Sequence, residues 1–557
     1  MFPAMAGLEL VLILLAVTAA LALLADRLGV PHPVLLVLGG LVLAFVPGLP
    51  RVEMEPDVLF LIFVPPLLYW GSLTATLRDF RRDLWPILNL GVVLVLVSIV
   101  GVAVVARALD PAFGWAAAFA LGAIVSPPDP IAATAVMRTV GGPRRLANVL
   151  EGEGLVNDAA ALVVYRMAVR AATTGTFSFW QAIPQFVLTG TGGIAIGLAF
   201  GWGIAQLRRH LPRHPVVENT ISLLTPFAAY LPAERVGASG VLAVVAIGLY
   251  LGRVGPRIVP PVTRLQADAM WSVLSFLIEG LVFILVGLEL PRVMEALRDQ
   301  ALSTLIWYGA AVTLALILIR MAWVLLSAQA LRWIRARAPA LNWRERIFIG
   351  WAGMRGGDSL VIALALPFAT RSGQAFPARS LIIFIAFVVI LVTLVFQGLS
   401  LRPLLRRLGL HGRRETGQEE AHARRVAVQA GLKRLAEITR DGNDAEVARY
   451  LRQRHQSRVR RWSDREDRRS SAARGPAPHR SDTDERRAAT YRKLREEMIL
   501  AEREAVITLR DEGVIGDDVM RRIQRDLDLE GMLLEAAEPV GDTPYEISNR
   551  ISPLERN

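Results

Sequence analysis

Glu151-Gly-Glu-Gly-Leu-Val-Asn-Asp158 sets three carboxylates and an amide inside an otherwise apolar run, Leu146 to Ala171. The run has about twenty-five residues, enough to cross a bilayer as a helix. At least one of these acids is therefore expected within the hydrocarbon layer. An ionised side chain there is costly, and acids in such places mark ion pathways or proton relays.

Outward from this stretch the 557-residue chain divides into two unlike parts. From Leu8 to about Leu405, apolar segments of about 16 to 28 residues, the length of membrane spans, alternate with short Arg-bearing loops. Beyond them the chain is charged and nearly free of apolar runs. The expected fold is all-α: a polytopic membrane domain over 1–408, then a helical tail over 409–557. Thirteen candidate spans fall at 7–25, 33–47, 57–74, 84–107, 115–137, 146–171, 182–207, 217–231, 236–251, 267–290, 301–328, 344–368 and 378–400. The second, eighth and ninth are short.

The loops after odd-numbered spans carry the arginines, among them Arg82, Arg144, Arg145, Arg208, Arg209, Arg253, Arg257, Arg264, Arg344 and Arg346. The positive-inside rule then places the N-terminus outside and the tail in the cytoplasm. It also accounts for the net charge of +12 without nucleic acid as a partner. With no Lys or Arg ahead of the first apolar run, that run reads as a retained span rather than a signal peptide. The absence of cysteine excludes disulfides, Cys-based metal sites and thiol nucleophiles. All seven histidines fall in loops or the tail, which leaves no histidine relay.

Two spans read as broken. Ser126-Pro-Pro-Asp-Pro130 puts three prolines around an aspartate in the fifth, and proline both lacks the amide donor and clashes with the preceding turn. Gly353-Met-Arg-Gly-Gly-Asp358 puts three glycines around an arginine and an aspartate in the twelfth. Interrupted helices at corresponding places in two halves point to a transporter's midplane site. Spans five and twelve suit inverted repeats of about six helices after one extra N-terminal helix, the pattern of many transporters.

In the tail, 419–440 and 444–462 read as helices, 464–482 as a flexible linker, and Thr483 to Leu509 as a long helix. Asp517 can cap a further helix with apolar positions Val519, Met520, Ile523, Leu527 and Leu529. The tail is expected to pack on itself rather than serve as a dedicated module for an unknown regulator.

Asp158 is the expected shared site. A carboxylate can hold a proton or a small hard cation through oxygen, but not both at once. Exposed alternately to the two sides of a membrane, such a site lets one gradient drive the other ion. Asp129, on the broken fifth span, and Asn157, a neutral amide beside Asp158, complete the expected ion site. Glu153 lies four residues before Asn157 on the same helix face, and a buried glutamate needs a partner. Arg320 is assigned to it as a structural ion pair, and Arg355 as a field-setting cation near the helix break. Glu151, Glu218, Glu279 and Asp358 are weaker candidates, as partners or path-lining groups. No cofactor beyond the transported Na+ or K+ and H+ is called for. Nothing supplies a nucleophile–base pair or a cofactor loop, so an enzyme is not expected.

Phe63-Val-Pro-Pro-Leu-Leu-Tyr69, Ser126-Pro-Pro-Asp-Pro130, Glu151 to Asp158 and Gly353-Met-Arg-Gly356, in that order, resemble the monovalent cation:proton antiporter-1 family. These are the NhaP-type sodium/proton exchangers. The resemblance covers about residues 8–408 and implies a homodimer with a dimerisation domain and a moving core of six helices, in which spans five and twelve cross. It implies electroneutral exchange by an elevator-like movement in a bacterial inner membrane. Carried over, Asp158 matches the ion- and proton-binding aspartate, Asn157 its neighbour, and Asp129 the aspartate of the crossing helix. Glu153 and Arg320 match a stabilising ion pair, and Arg355 the arginine of the twelfth span. Two positions depart from the pattern: Gly154 stands where family members often have Ser, and Trp70 where some have Glu. Na+(Li+)/H+ exchange is the leading expectation. K+/H+ exchange by the same mechanism stays open, with a channel or proton-gated sensor behind it.

Overall fold

A spanning helix satisfies its own backbone hydrogen bonds, the form that lipid demands, and the apolar segments of this computed structural model are helical apart from one break in the fifth expected span and one in the twelfth. It describes residues 3–535 except 29–31, 47–55, 76–81, 112, 131–132, 135, 138–140, 176–178, 212–213, 335–340, 371–372, 411–412, 440–444 and 464–481. The expected linker at 464–482 thus lies almost wholly outside the described residues, as does part of the fifth span beyond Pro130.

The helices run α1 (Pro3–Leu28), α2 (His32–Leu43), α3 (Pro56–Thr74), α4 (Leu84–Leu109) and α5 (Trp115–Val125). They continue with α6 (Arg144–Thr174), α7 (Phe179–His210), α8 (Pro215–Arg235), α9 (Gly240–Ile258), α10 (Pro261–Ala296) and α11 (Leu302–Ile334). Then come α12 (Trp343–Trp351), α13 (Gly357–Leu364) and α14 (Arg379–Arg407). The tail holds α15 (Arg413–Ile438), α16 (Ala445–Ser463), α17 (Asp482–Glu512) and α18 (Asp517–Glu535).

Eleven of the expected spans each fall on one of these helices, the fifth begins on α5 and runs past its end, and the twelfth is divided between α12 and α13. Among the described residues, α4, α9, α10, α14 and the apolar parts of α7 and α11 are long and apolar enough to cross a membrane. The helix α6 misses that standard because Arg166 and Arg170 add to the acids quoted above. The twelfth span misses it because it is split into α12 and α13. Wide π-type turns interrupt α4 at Asn89–Leu94 and α14 at Thr393–Gln397; such turns concentrate at functional sites.

The chain forms two compact units. The first comprises Met1–Leu207, Ile221–Gly255 and Ala269–His411. Its helices cross on glycines, as membrane helices do where backbones approach closely. A Cβ at Gly40 would lie 2.2 Å from the Ile284 carbonyl oxygen, and one at Gly287 2.2 Å from that of Val37, so α2 and α10 touch backbone to backbone. Gly122 brings α5 onto Ile99 of α4 in the same way. Large apolar side chains such as Leu23, Leu188, Trp202 and Leu326 remain exposed, the surface expected of a protein that meets lipid. An apolar floor of Leu90, Leu94, Leu146, Leu150, Phe348 and Leu401 joins α4, α6, α12 and α14.

The second unit comprises Arg208–Thr220, Pro256–Asp268 and Gly412–Asn557, so it gathers two loop regions together with the tail. The tail helices share cores: Ala427, Ile499, Val506, Val519 and Ile523 in one, Leu435, Leu451, Leu494 and Met498 in another. Of the apolar positions expected to pack in α18, Val519, Met520, Ile523 and Leu527 are buried, whereas Leu529 is exposed on the opposite side.

Candidate ion-binding site

Both breaks occur where the prolines and glycines place them, and they meet. After α5 ends at Val125, the Asp129 amide donates to the Met354 carbonyl at 2.7 Å. Met354 lies in the non-helical stretch between α12 and α13. Glycine is required there: a Cβ on Gly356 would sit 2.3 Å from Asp129 Oδ2 and 2.7 Å from its Cβ and Cγ. One broken span can therefore pass the other only because position 356 has no side chain.

Arg355 closes the junction. It is 1% exposed and donates from Nε to the Val125 carbonyl (2.9 Å), from Nη2 to that of Ser126 (3.3 Å), and from Nη1 to Gly353. A helix that stops inside a protein leaves carbonyls without partners, with the negative end of its dipole behind them. The guanidinium satisfies these groups at the end of α5. The Arg355 amide in turn donates to Thr393 Oγ1 at 3.2 Å, in the wide turn of α14.

The third element is α6. Asn157 is fully buried and donates from Nδ2 to the Pro128 carbonyl at 2.7 Å, satisfying an acceptor that the proline break has freed. Its Oδ1 is buried with no protein partner. Asp158 follows, half-buried, within electrostatic reach of Asp358 and Asp129. Gly154 faces Pro130: a Cβ there would lie 2.4 Å from the proline Cγ, so a hydroxyl-bearing side chain has no room. The wide turn of α4 brings Gly91 against the backbone of Glu153 and Asn157.

Glu153 and Arg320 form a two-pronged ion pair, Nη1 to Oε1 at 2.5 Å and Nη2 to Oε2 at 2.9 Å. They are 1% and 2% exposed. Arg320 Nε also donates to the Ile349 carbonyl at 3.2 Å, tying α6, α11 and α12 together. Fork-on-fork geometry is the strongest form of such a pair.

The six residues singled out from sequence thus sit around one junction, Asp129, Asn157, Asp158 and Arg355 at its centre and Glu153–Arg320 beside it. Glu279 of α10 joins them through its electrostatic reach to Asp129 and Asp358. Thr393 had no signal in the sequence, since a threonine in an apolar span is ordinary. Glu151 lies on α6 two residues before Glu153, and Glu218 belongs to the second unit. Among the described residues, no three acidic or histidine side chains are tight enough to hold a resident metal ion.

A helical membrane bundle in which two broken helices meet beside intramembrane acids defines the class, a secondary ion transporter. The profile of the transmembrane sodium/hydrogen exchanger matches residues 13–407, and the chain belongs to that family. An uncharacterised Na+/H+ exchanger of Mycobacterium tuberculosis is 35% identical over 543 residues, covering 96% of this chain and 97% of that protein. A sodium, potassium, lithium and rubidium/H+ antiporter of Bacillus pumilus is 34% identical, covering 77% of this chain and 67% of its own. A Na+/H+ antiporter of Aphanothece halophytica is 32% identical, covering 77% and 80%. The solved sodium/proton antiporter of Methanocaldococcus jannaschii shares the fold, with a TM-score of 0.56 at 19% identity over 73% of this chain and 99% of that one.

Proposed function

We propose that this chain is an electroneutral Na+(Li+)/H+ antiporter that works by alternating access, with proton and cation competing for Asp158. The observation that carries this reading is the position of Asp158: half-buried, on the helix that Asn157 pins to the Pro128 carbonyl, beside both broken spans. Asp158 takes the proton or the cation. Asn157 orients the broken segment and offers its Oδ1, and Asp129 lines the site from the fifth span. Glu153 and Arg320 hold the surrounding helices together. Arg355 balances the field at the junction. Exchange of one H+ for one monovalent cation moves no net charge across the membrane, because the Asp158 carboxylate crosses neutralised in both directions, by the proton one way and by the cation the other.

The protein sits in a bacterial inner membrane as a homodimer, N-terminus outside and tail in the cytoplasm. The grouping of Arg208–Thr220 and Pro256–Asp268, from the loops after spans seven and nine, in one unit with the tail supports that orientation.

K+/H+ exchange at the same site is the second reading, favoured by the Bacillus relatives whose names include potassium. The test is transport by the purified full chain in liposomes, with Na+, Li+ and K+ each set against a pH gradient. Cation-driven proton movement that persists with the membrane potential clamped at zero is expected, and current without counter-ion would indicate a channel instead. Asp158→Asn abolishes exchange at near-normal expression. Retained pH-dependent cation transport in that variant would overturn the assignment of the shared site.

A further inference from the structure

We propose that Asp358 is a further carboxylate ligand of the transported monovalent cation, facing Asp158 across the break of the twelfth span; the inference rests on the antiport reading above.

Four backbone and packing constraints bring the two acids together. Asn157 Nδ2 holds α6 to the Pro128 carbonyl at 2.7 Å, which fixes Asp158 one residue from that anchor. The Asp129 amide holds the fifth span to the Met354 carbonyl at 2.7 Å. Gly356, two residues before Asp358, lies directly against the Asp129 side chain. Gly357 packs on Val282 and Phe283 of α10, the helix that carries Glu279. The charges of Asp358 and Asp129 consequently reach Asp158, and those of Asp129 and Asp358 reach Glu279. Asp358 thus acts electrostatically on both the central acid and Glu279.

The charges leave a place for a mobile cation. Arg355 is engaged by the carbonyls of Val125, Ser126 and Gly353, and Arg320 by Glu153 and the Ile349 carbonyl. Among the described residues, no salt bridge reaches Asp158, Asp358 or Glu279. Beside them, Asn157 Oδ1 is a fully buried oxygen without a protein partner. Two carboxylates and an amide oxygen are hard donors suited to an alkali cation. Asp158 and Asp358 are both half-buried rather than sealed, so water can complete the shell. The lack of a three-acid cluster distinguishes this seat from a resident-metal cage.

The test compares full-length wild type with Asp358→Asn, Asp358→Glu and Asp158→Asn in liposomes, reading initial exchange rates against Na+ and Li+ concentration. Asp358→Asn is expected to raise the half-saturating Na+ by about tenfold or more, the range seen when a metal site loses a supporting group. The maximal rate should fall much less, and Asp358→Glu should recover part of the affinity. Half-saturation within about twofold of wild type, well below one tenfold step of 1.4 kcal/mol, would overturn the proposal. Cation-dependent thermal stabilisation of the detergent-purified proteins reads binding without transport. There, Asp358→Asn should need about tenfold more Na+ for the same stabilisation, and an unchanged Na+ dependence overturns the proposal as well. If Asp358→Asn does not fold, Asp358→Glu decides: wild-type half-saturation and ion order overturn the proposal, and a shifted half-saturation supports it. Wild type without exchange would instead defeat the antiport reading. Exchange that needs Asp158 but ignores Asp358 would defeat the present inference alone.

Discussion

Glu153 is the residue whose role follows most directly from burial. Its carboxylate and the Arg320 guanidinium are each almost wholly enclosed and satisfy one another at both prongs. Removing one charge of such a pair leaves the other buried and unpaired, at a cost of about 3–5 kcal/mol. Glu153→Gln is therefore expected to lower the thermal midpoint of the purified protein and its yield, while the correctly folded fraction keeps its half-saturating Na+. A fully stable but inactive variant would reassign Glu153 to the ion itself. That Glu153 needs a buried partner was legible in the sequence, because charged residues in apolar spans are rare; rarity alone left Arg320 and Arg355 both eligible, and the family resemblance matched Glu153 with Arg320. Asp358 was only weakly legible. It follows two glycines, and its significance lies in Asp129 and Asp158, far earlier in the chain, with which it interacts electrostatically.

At the scale of helices, chain punctuation located the breaks: prolines at 127, 128 and 130, and glycines at 353, 356 and 357. The wide turns in α4 and α14 had no such mark, because π-type turns arise from how a helix is held by its neighbours rather than from a distinctive residue. Yet both flank the site, one against the Glu153–Asn157 backbone through Gly91, the other bonded to Arg355 through Thr393. Close helix crossings supply a prediction at this scale. A methyl group on Gly287 would collide with the Val37 carbonyl and the Leu41 amide, which are backbone and cannot rotate away. Gly287→Ala should therefore separate α2 from α10 and destabilise the protein by about 1–3 kcal/mol, the usual cost of overpacking. Thermal unfolding in detergent checks this, with Gly71→Ala as control, since a methyl there meets nothing within 4 Å. Equal midpoints for the two variants would show that the crossing yields without strain.

Across the whole molecule, the tail is organised around charge as much as around its apolar cores. Burial works against the charge of Arg495, but its hydrogen bonds to Glu530 and Glu502 hold its pKa above the ordinary arginine value. Asp528, 1% exposed, accepts from Arg264 Nε at 2.9 Å and Nη2 at 3.0 Å, and pairs with Arg503 at 2.9 Å. Arg257 reaches Asp511 at 2.6 Å, and Gln524 Nε2 donates to the Pro256 carbonyl at 3.3 Å. Within this unit, the segment Pro256–Asp268 is thus fastened to α17 and α18 chiefly through one enclosed carboxylate. The sequence alone did not reveal this, because Arg264 read as one more positive loop residue and Asp528 as one of many acids in a charged helix. Asp528→Asn keeps the shape and removes the charge, leaving two arginines facing a neutral amide, at a cost of about 3–5 kcal/mol if the pair behaves as buried ones do. The expected outcome is faster protease cleavage and faster amide exchange in α17, α18 and residues 256–268 together, since they share one fastening. Arg257→Ala should do far less, because its pair is largely solvent-exposed and such pairs contribute about 0–1 kcal/mol. Protection lost from α18 alone, with residues 256–268 unchanged, would mean that Asp528 stabilises only its own helix.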